Sequence, residues 1–183
     1  LAVAIAARLL APALPALCRA EHAETVNNMA SFGTRHIINP FEQFGEYMAL
    51  ALHSPAAYHL LLWLTGLPGT TVTRHRDPPV GKWVLCGYGS FGKVMTEALE
   101  NATLPVTIID LAPPPDSAHQ WIKGDGTGAE ALRAAGIDGA VGIVAATGND
   151  VINLSVVVTA RQMNPGLFTV LRQNHVANKA LFD

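Results

Sequence analysis

Apolar positions along the chain fall in short blocks that alternate between strand length and helix length. The stretches "WVLC", "VTIID", "QWIKG", "VGIVAA" and "LFTVL" have the length of strands. Between them, "FGKVMTEALE", "AEALRAAG" and "VINLSVVVTARQM" have apolar positions at helical spacing. Strands that alternate with helices predict an α/β fold with a parallel sheet and right-handed crossovers.

Residues that begin and end helices support these boundaries. Thr127 and Glu130 have the spacing of a capping box, and Gly136 is placed to terminate the helix that they start. Asn149 is the predicted cap of the next helix. The pattern of elements therefore rests on local end signals as well as on hydrophobic periodicity.

The two ends of the chain repeat one another. Residues 154–182 align without gaps on residues 1–29, so one unit occurs twice, 153 residues apart. That separation fits a whole domain rather than a solenoid module. We expect 1–54 to be the second half of a preceding copy, 55–81 a helix, interface segment and linker, and 82–183 a C-terminally incomplete domain. The first residue is Leu, and we expect a fragment whose ends cut through two tandem domains.

Two apolar stretches raise the question of a membrane segment. Residues 1–18 carry Arg8 within the apolar run and two prolines, which predicts a helix ending near Leu10, a turn and a short strand. In residues 48–66, Pro55 leaves about nine apolar residues, fewer than a span needs. We therefore expect two packed helices, or a helix and an interface segment, in the second stretch and no insertion of this chain into a membrane.

A glycine motif follows the first strand of the second copy. In "KWVLCGYGSFGKVMTEALE", Gly87, Gly89 and Gly92 have G-x-G-x-x-G spacing between a strand and a helix, and Asp110 follows 18 residues later. Gly87 permits a tight turn, Gly89 lets the backbone approach a pyrophosphate, and Gly92 allows close helix–strand packing. Together with the alternating elements, this predicts a Rossmann-like doubly wound sheet with a dinucleotide-binding site.

The carboxyl ends of the other strands complete the predicted crevice. A carboxylate at Asp110 accepts hydrogen bonds from ribose hydroxyls and repels a 2′-phosphate. No Lys or Arg follows until Lys123, so NADP has no evident cation partner. Parallel strands end at one edge of the sheet, which brings further polar or glycine positions to the same crevice, namely Gly124, Asp125, Thr147, Gly148 and Arg172.

Composition and charge narrow the class of protein. The chain has 183 residues, of which 50% are hydrophobic and 14% charged, with a net charge of −2, so nucleic acid is not an expected partner. Cys18 and Cys86 each fall in a predicted buried strand without a partner at a disulfide spacing, which indicates a reducing compartment. The histidines are scattered, and no metal site is expected.

The second copy resembles the nucleotide-binding (KTN, or TrkA-N) lobe of RCK domains, which regulate potassium channels and transporters. The resemblance covers residues 82–183 and rests on "VLCGYGSFGKVMTEAL", "VTIID", "GDGTGAEALRAAGI", "VGIVAATGNDVINLSVVVTAR" and "FTVLRQNHVAN". Residues 1–54 look like the last two strands and crossover helix of another copy. The combined pattern is specific, whereas the glycine motif alone is not.

The resemblance implies a ligand and a set of site residues. The glycines would cradle phosphates, Asp110 would hold the ribose, and Asp125 and Thr147 would line the pocket. The full set of predicted binding residues is Gly87, Tyr88, Gly89, Ser90, Phe91, Gly92, Asp110, Leu111, Gly124, Asp125, Gly126, Thr147, Gly148 and Arg172. Ser90 stands where the family often has Arg, which leaves NAD(H), ADP, AMP and ATP as candidate ligands. Arg172 would face phosphates or a neighbouring subunit, with a solvated arginine paired to a surface carboxylate as the alternative.

The implied function is a cytoplasmic, non-enzymatic regulatory domain, peripheral to the inner face of the cell membrane. It would bind the nucleotide and gate a potassium channel or transporter. Two other hypotheses stay open: an NAD-dependent oxidoreductase on the same fold, and a scaffold copy with a vestigial site. We also expect a homo-oligomer whose interfaces lie at or near apolar residues of the interface helices, namely Phe41, Phe44, Tyr47, Met48 and the segment "LLLWL".

Overall fold

The computed structural model describes residues 2–66, 76–114 and 118–182. Within it the chain divides into two compact units, Leu1–Glu46 and Tyr47–Asp183, referred to below as the first and second units. Residues 67–75, within the predicted segment 55–81, lie outside the described residues.

The first unit contains two helices, two short strands and the start of a third helix. Its elements are α1 (Ala2–Leu10), β1 (Leu17–Arg19), α2 (Ala23–Ser31), β2 (His36–Ile38) and α3 (Pro40–His53), whose last residues belong to the second unit. Strands β1 and β2 pair in parallel, with Cys18 opposite Ile37. The helix, turn and strand predicted from residues 1–18 are thus present.

The beginning of α3 follows the predicted signals. Asn39 Oδ1 accepts a hydrogen bond from the Phe41 amide at 3.1 Å, directly before the helix starts at Pro40. Phe41 and Met48 are buried, whereas Phe44 and Tyr47 are exposed. Only the second pair therefore lies on the surface that was predicted to form interfaces.

Helices and strands alternate in the second unit, except that the described residues contain no helix between Asp110 and Gln120. Its elements are α4 (Pro55–Thr65), β3 (Trp83–Cys86), α5 (Ser90–Asn101), β4 (Val106–Asp110), β5 (Gln120–Lys123), α6 (Ala129–Ala134), β6 (Gly142–Ala145), α7 (Asp150–Met163) and β7 (Phe168–Leu171), with 3₁₀ helices at Ile137–Gly139 and Val176–Leu181. The sheet is parallel throughout, in the order β5-β4-β3-β6-β7. The predicted doubly wound, Rossmann-like fold is confirmed.

The core of the second unit explains why two of its strands, β3 and β6, lack polar positions. All four residues of β3 and all four of β6 are buried, because helices cover a parallel sheet on its faces. On one face of the sheet, Val84 and Ile143 join a cluster with Leu132, Val156 and Ala160 from α6 and α7. This packing fixes the ends of β3 and β6 beside one another.

Two predictions about local structure are wrong. The expected capping box at Thr127 and Glu130 does not start α6, which begins at Ala129 with Gly128 as its N-cap. The Thr127 amide and hydroxyl instead donate to Asp125 Oδ1, both at 2.9 Å. The hydroxyl of Thr127 is therefore bound to the carboxylate of Asp125 and does not cap the helix. Cys18 is only partly buried, because its short strand has exposed neighbours on both sides.

The other end signals are confirmed. Asn149 Oδ1 accepts hydrogen bonds from the Val151 and Ile152 amides at 2.9 and 3.2 Å, which caps α7. Gly136 follows α6 with a φ of 78°, the left-handed conformation that ends helices. The hydrogen bonds of Asn149 thus attach the loop after β6 to the first turn of α7.

Candidate functional site

A cavity of about 270 Å³ opens at the carboxyl ends of the strands. It lies where the strand order reverses, since β4 and β6 flank β3 on opposite sides. Ligands of open α/β sheets bind at such a switch point. Its lining consists of Gly87, Tyr88, Gly89, Ile109, Asp110, Leu111, Gly124, Asp125, Ala146, Thr147, Gly148, Ile152 and Arg172.

The three glycines of the loop play different structural parts. Gly87 has a φ of 96°, and a Cβ there would lie 3.0 Å from the Thr147 amide nitrogen. A Cβ at Gly92 would lie 2.0 Å from the Gly87 carbonyl oxygen. A Cβ at Gly89 would meet nothing within 4 Å. The first and third glycines are therefore required by the turn and the helix contact, whereas the second leaves space open beside the cavity.

The start of α5 suits an anion. Gly89 is the N-cap of this helix and supplies no side-chain cap. The first turn of a helix presents backbone N–H groups and the positive end of the helix dipole. A phosphate placed against Gly89 would lie at that end.

Asp110, at the end of β4, fixes the glycine loop. Its Oδ2 accepts a hydrogen bond from the Tyr88 amide at 2.7 Å, and its Oδ1 accepts one from the Ala112 amide at 2.9 Å. An ionised carboxylate offers about four acceptor positions. Asp110 therefore orients the loop and keeps the capacity to accept hydrogen bonds from a ribose.

Asp125 adds a second carboxylate to the same side of the cavity. The hydrogen bonds from the Thr127 amide and hydroxyl lower the pKa of Asp125, so it is ionised at neutral pH. Burial, with a smaller contribution from Asp125, raises the pKa of Cys86 to about 12. The Cys86 sulfur is thus a protonated thiol beneath the site and not a nucleophile.

The loop after β6 is held by a buried side chain that the sequence analysis missed. Asn153 Oδ1 accepts from the Thr147 amide at 2.9 Å and from its hydroxyl at 2.7 Å. Asn153 Nδ2 donates to the carbonyls of Thr147 at 3.0 Å and Arg172 at 2.8 Å. A polar residue within the apolar face of α7 was the available signal. Asn153 joins the ends of β6 and β7.

The structure places most of the predicted site residues around one cavity. Those that do not line it are Ser90, Phe91, Gly92 and Gly126. Phe91, Gly92 and Gly126 are buried in the packing around the loop. The lining residues that the sequence analysis missed are Ile109, Ala146 and Ile152. They are apolar, and the strand and helix pattern accounts for them without any ligand.

A larger cavity, of about 330 Å³, lies within the first unit and is lined in part by Arg8, Arg35 and His36. It lacks the glycine loop and the strand-end carboxylates of the second unit. Across the described residues, no group of three or more His, Cys, Asp or Glu side chains is arranged to hold a metal ion. In the same part of the chain, no helix has the length and apolar character needed to cross a membrane.

Two curated relatives are potassium channel proteins of the same organism. Potassium channel protein 1 of Methanocaldococcus jannaschii is 30% identical over 97 residues, covering 49% of this chain and 29% of the relative. Probable potassium channel protein 2 of the same organism is 33% identical over 94 residues, covering 46% and 27%. The alignments thus span less than a third of each relative's length.

Solved structures share the fold at low identity. The structure of GsuK bound to ADP superposes with a TM-score of 0.68 at 20% identity, covering 96% of this chain and 40% of that one. The GsuK channel bound to NAD gives a TM-score of 0.68 at 16% identity, covering 96% and 44%. The TrkA-N domain of the inner membrane protein ybaL from Escherichia coli gives 0.51 at 20%, covering 55% and 78%.

A family profile matches the second unit directly. The TrkA-N domain profile covers residues 83–183, which contain the five-stranded sheet, the glycine loop and Asp110. This match includes more than half of the chain. The chain therefore belongs to the TrkA-N domain family and is related to potassium channel proteins.

Proposed function

We propose that the second unit binds an adenine nucleotide with free ribose hydroxyls: NAD(H), ADP, AMP or ATP. The observation that carries this proposal is the open space at Gly89, at the start of α5, in a cavity that also contains the Asp110 carboxylate. One end of the cavity suits a phosphate and the other a ribose. GsuK structures with ADP and with NAD bound share this fold, which supports the same ligand class.

Each part of the ligand has a proposed set of contacts. The backbone at Gly89 and the start of α5 would receive the phosphates, and Asp110 would accept hydrogen bonds from the ribose. Asp125 and Thr147 would line the remaining wall, and Arg172 would face the phosphates from the end of β7. Leu111, exposed beside Asp110, offers an apolar surface to the base.

The regulatory part of the proposal follows from the relatives. Two curated relatives of this chain are potassium channel proteins, so we propose that nucleotide binding here gates a potassium channel or transporter from the cytoplasmic side of the membrane. Such control requires that the ligand bind two conformations with different affinities. The domain then needs no catalytic group, and we propose that it is not an enzyme.

We also propose that residues 1–54 are the second half of another Rossmann-like copy. Helices α1 and α7 end at Leu10 and Met163, which are equivalent positions in the repeat. Val156 is 0% exposed in the core of the second unit, whereas its equivalent Val3 is 83% exposed. The face of α7 that contains Val156 is covered in the second unit. The equivalent face of α1, which contains Val3, is not covered in the first unit.

The test of nucleotide binding is calorimetric titration with NADH, NADPH, ATP and AMP. The wild-type chain is expected to bind NADH more tightly than NADPH, because a 2′-phosphate would place its negative charge against the Asp110 carboxylate. Equal affinities for NADH and NADPH would remove Asp110 from the ribose site. Turnover of substrate with a nicotinamide cofactor would favour the oxidoreductase hypothesis, and absence of binding would favour a scaffold.

The variant Asp110→Ala sharpens the test. Losing a hydrogen bond to a charged group costs about 1.5 to 3 kcal/mol, or roughly ten- to a hundredfold in affinity. Because Asp110 also holds the Tyr88 amide, a change in the loop would weaken NADH and NADPH alike. Loss of ribose contacts would weaken NADH alone, so the ratio of the two affinities separates the causes. Asp138→Ala, at an exposed acid outside the cavity, is the matched charge control.

A further inference from the structure

A buried carboxylate outside the predicted site residues joins that site to the segment after β7. Asp150, the first residue of α7, is 3% exposed. Its Oδ1 accepts from the Asn174 amide at 2.6 Å and from Asn174 Nδ2 at 2.8 Å. Its Oδ2 accepts from the His175 amide at 3.2 Å and from Asn178 Nδ2 at 2.6 Å. These four donors belong to residues 174–178, which lead into the 3₁₀ helix Val176–Leu181.

Asn174 connects this carboxylate to the cavity. Its Nδ2 donates both to Asp150 Oδ1 and to the Thr147 carbonyl, the latter at 3.2 Å. The same carbonyl accepts from Asn153 Nδ2, so both of its acceptor positions are used. The loop at Thr147 therefore cannot move far without breaking a hydrogen bond to Asn174.

The charge of Asp150 suits this arrangement. A neutral amide could not accept from four N–H groups, because one of its two terminal atoms is itself a donor. Burial raises the pKa of Asp150 and the hydrogen bonds from Asn174, Asn178 and His175 lower it, with a net pKa of about 2. The side chain is ionised at neutral pH, as its four donors require.

We propose that Asp150 is a positioning residue that, through Asn174, couples occupancy of the cavity at Thr147 to the placement of residues 174–181. This inference rests on the proposed nucleotide binding and adds a route by which the bound ligand acts on the rest of the chain. A ligand that contacts Thr147 or Arg172 holds the ends of β6 and β7, and the Asp150 network extends that restraint into the following segment.

The test is hydrogen exchange of the 183-residue chain, measured by mass spectrometry with and without NADH and AMP. In the wild type, either nucleotide is expected to slow exchange in residues 174–181. In Asp150→Asn, exchange of this segment without ligand should rise about tenfold, because one of the two oxygens that accept from residues 174–178 is replaced by an NH₂ group. Added nucleotide should then no longer slow it, although calorimetry still detects binding.

Two further variants separate coupling from a merely structural role. Asn178→Ala removes one donor and leaves the charge at the start of α7, so it should fold as the wild type does and reduce the nucleotide effect in 176–181. Asp138→Asn makes the same charge change at an exposed site and should leave the nucleotide effect intact. Thermal unfolding of each variant verifies that it is folded.

The possible failures are distinguishable. If the wild type binds NADH or AMP and exchange of 174–181 does not change, the coupling is refuted and the proposed nucleotide site stands. If neither nucleotide binds, the proposed function fails and the coupling fails with it. If Asp150→Asn responds to nucleotide as strongly as the wild type, Asp150 does not carry the coupling.

Discussion

The second glycine of the loop allows nucleotide binding to be tested apart from folding. A Cβ at Gly89 would meet no atom within 4 Å, and the residue has a φ of −76° that any amino acid can adopt. Gly89→Val is therefore expected to lower the free energy of unfolding by no more than about 1 kcal/mol, the usual cost of a poorer N-cap residue. The added methyl groups would occupy space into which the proposed phosphates must come.

The expected effect on affinity is much larger than the effect on stability. Holding the pyrophosphate away from the backbone at the start of α5 removes both the N–H contacts and the close approach to the helix dipole. We expect NADH to bind at least about a hundredfold more weakly, which corresponds to roughly 2.8 kcal/mol. Calorimetric titration measures this loss, and urea unfolding measures stability on the same sample.

Two other glycines provide the controls. Gly139→Val also introduces a side chain into open space, but outside the cavity, and should leave NADH affinity unchanged. Gly92→Val places a Cβ 2.0 Å from the Gly87 carbonyl oxygen and should destabilise the fold by about 3 kcal/mol. Wild-type NADH affinity in Gly89→Val would refute the proposed phosphate position, because the open space would then have no ligand in it.

Three further outcomes are expected. Asn149→Ala should lower the free energy of unfolding by about 1 kcal/mol through loss of the α7 cap, and an unchanged urea midpoint would show that the cap contributes nothing. The pKa of Asp150 is lowered from 3.8 to about 2, so its ionised form stabilises the fold above pH 4 and this contribution is lost as pH falls through that range; an acid titration of Asp150→Asn by circular dichroism should lack that part of the transition. Light scattering should show a dimer or larger assembly at micromolar concentration, because Leu60, Trp63 and Leu64 of α4 are exposed, and a monodisperse monomer would contradict this.

The features that the sequence predicted depend on residues close together in the chain. The five strands, the glycine loop and the Asn149 cap each arise from a pattern shorter than about 15 residues. Asp110 was predicted at the end of its strand because the distance from the glycine motif is typical of a ribose contact. Its hydrogen bond to the Tyr88 amide was not predicted, since that contact depends on how β3 and β4 pair.

The features that the sequence did not predict depend on competition between partners. Thr127 was placed both to cap the following helix and to donate to Asp125, two residues before it. Spacing alone did not show that Asp125 would accept hydrogen bonds from both its amide and its hydroxyl. Asp150 and Asn178 are 28 residues apart in the chain. Only the packing of α7 beside β7 brings them together, so the polar network could not be derived from either segment alone.

The two walls of the cavity are held in different ways, and this bears on how a ligand could act. On one wall, Asp110 fixes the glycine loop through a single amide of Tyr88. On the other, Asn153 and Asn174 hold Thr147 through a network that continues to residues after β7. A ligand restricted to the first wall changes few contacts beyond the loop itself. In the proposed coupling, a nucleotide that also reaches Thr147 or Arg172 restrains the second wall, and its affinity then depends on the position of the following segment. Under the proposed coupling, regulation by nucleotide therefore depends on contacts with the second wall as well as with the first.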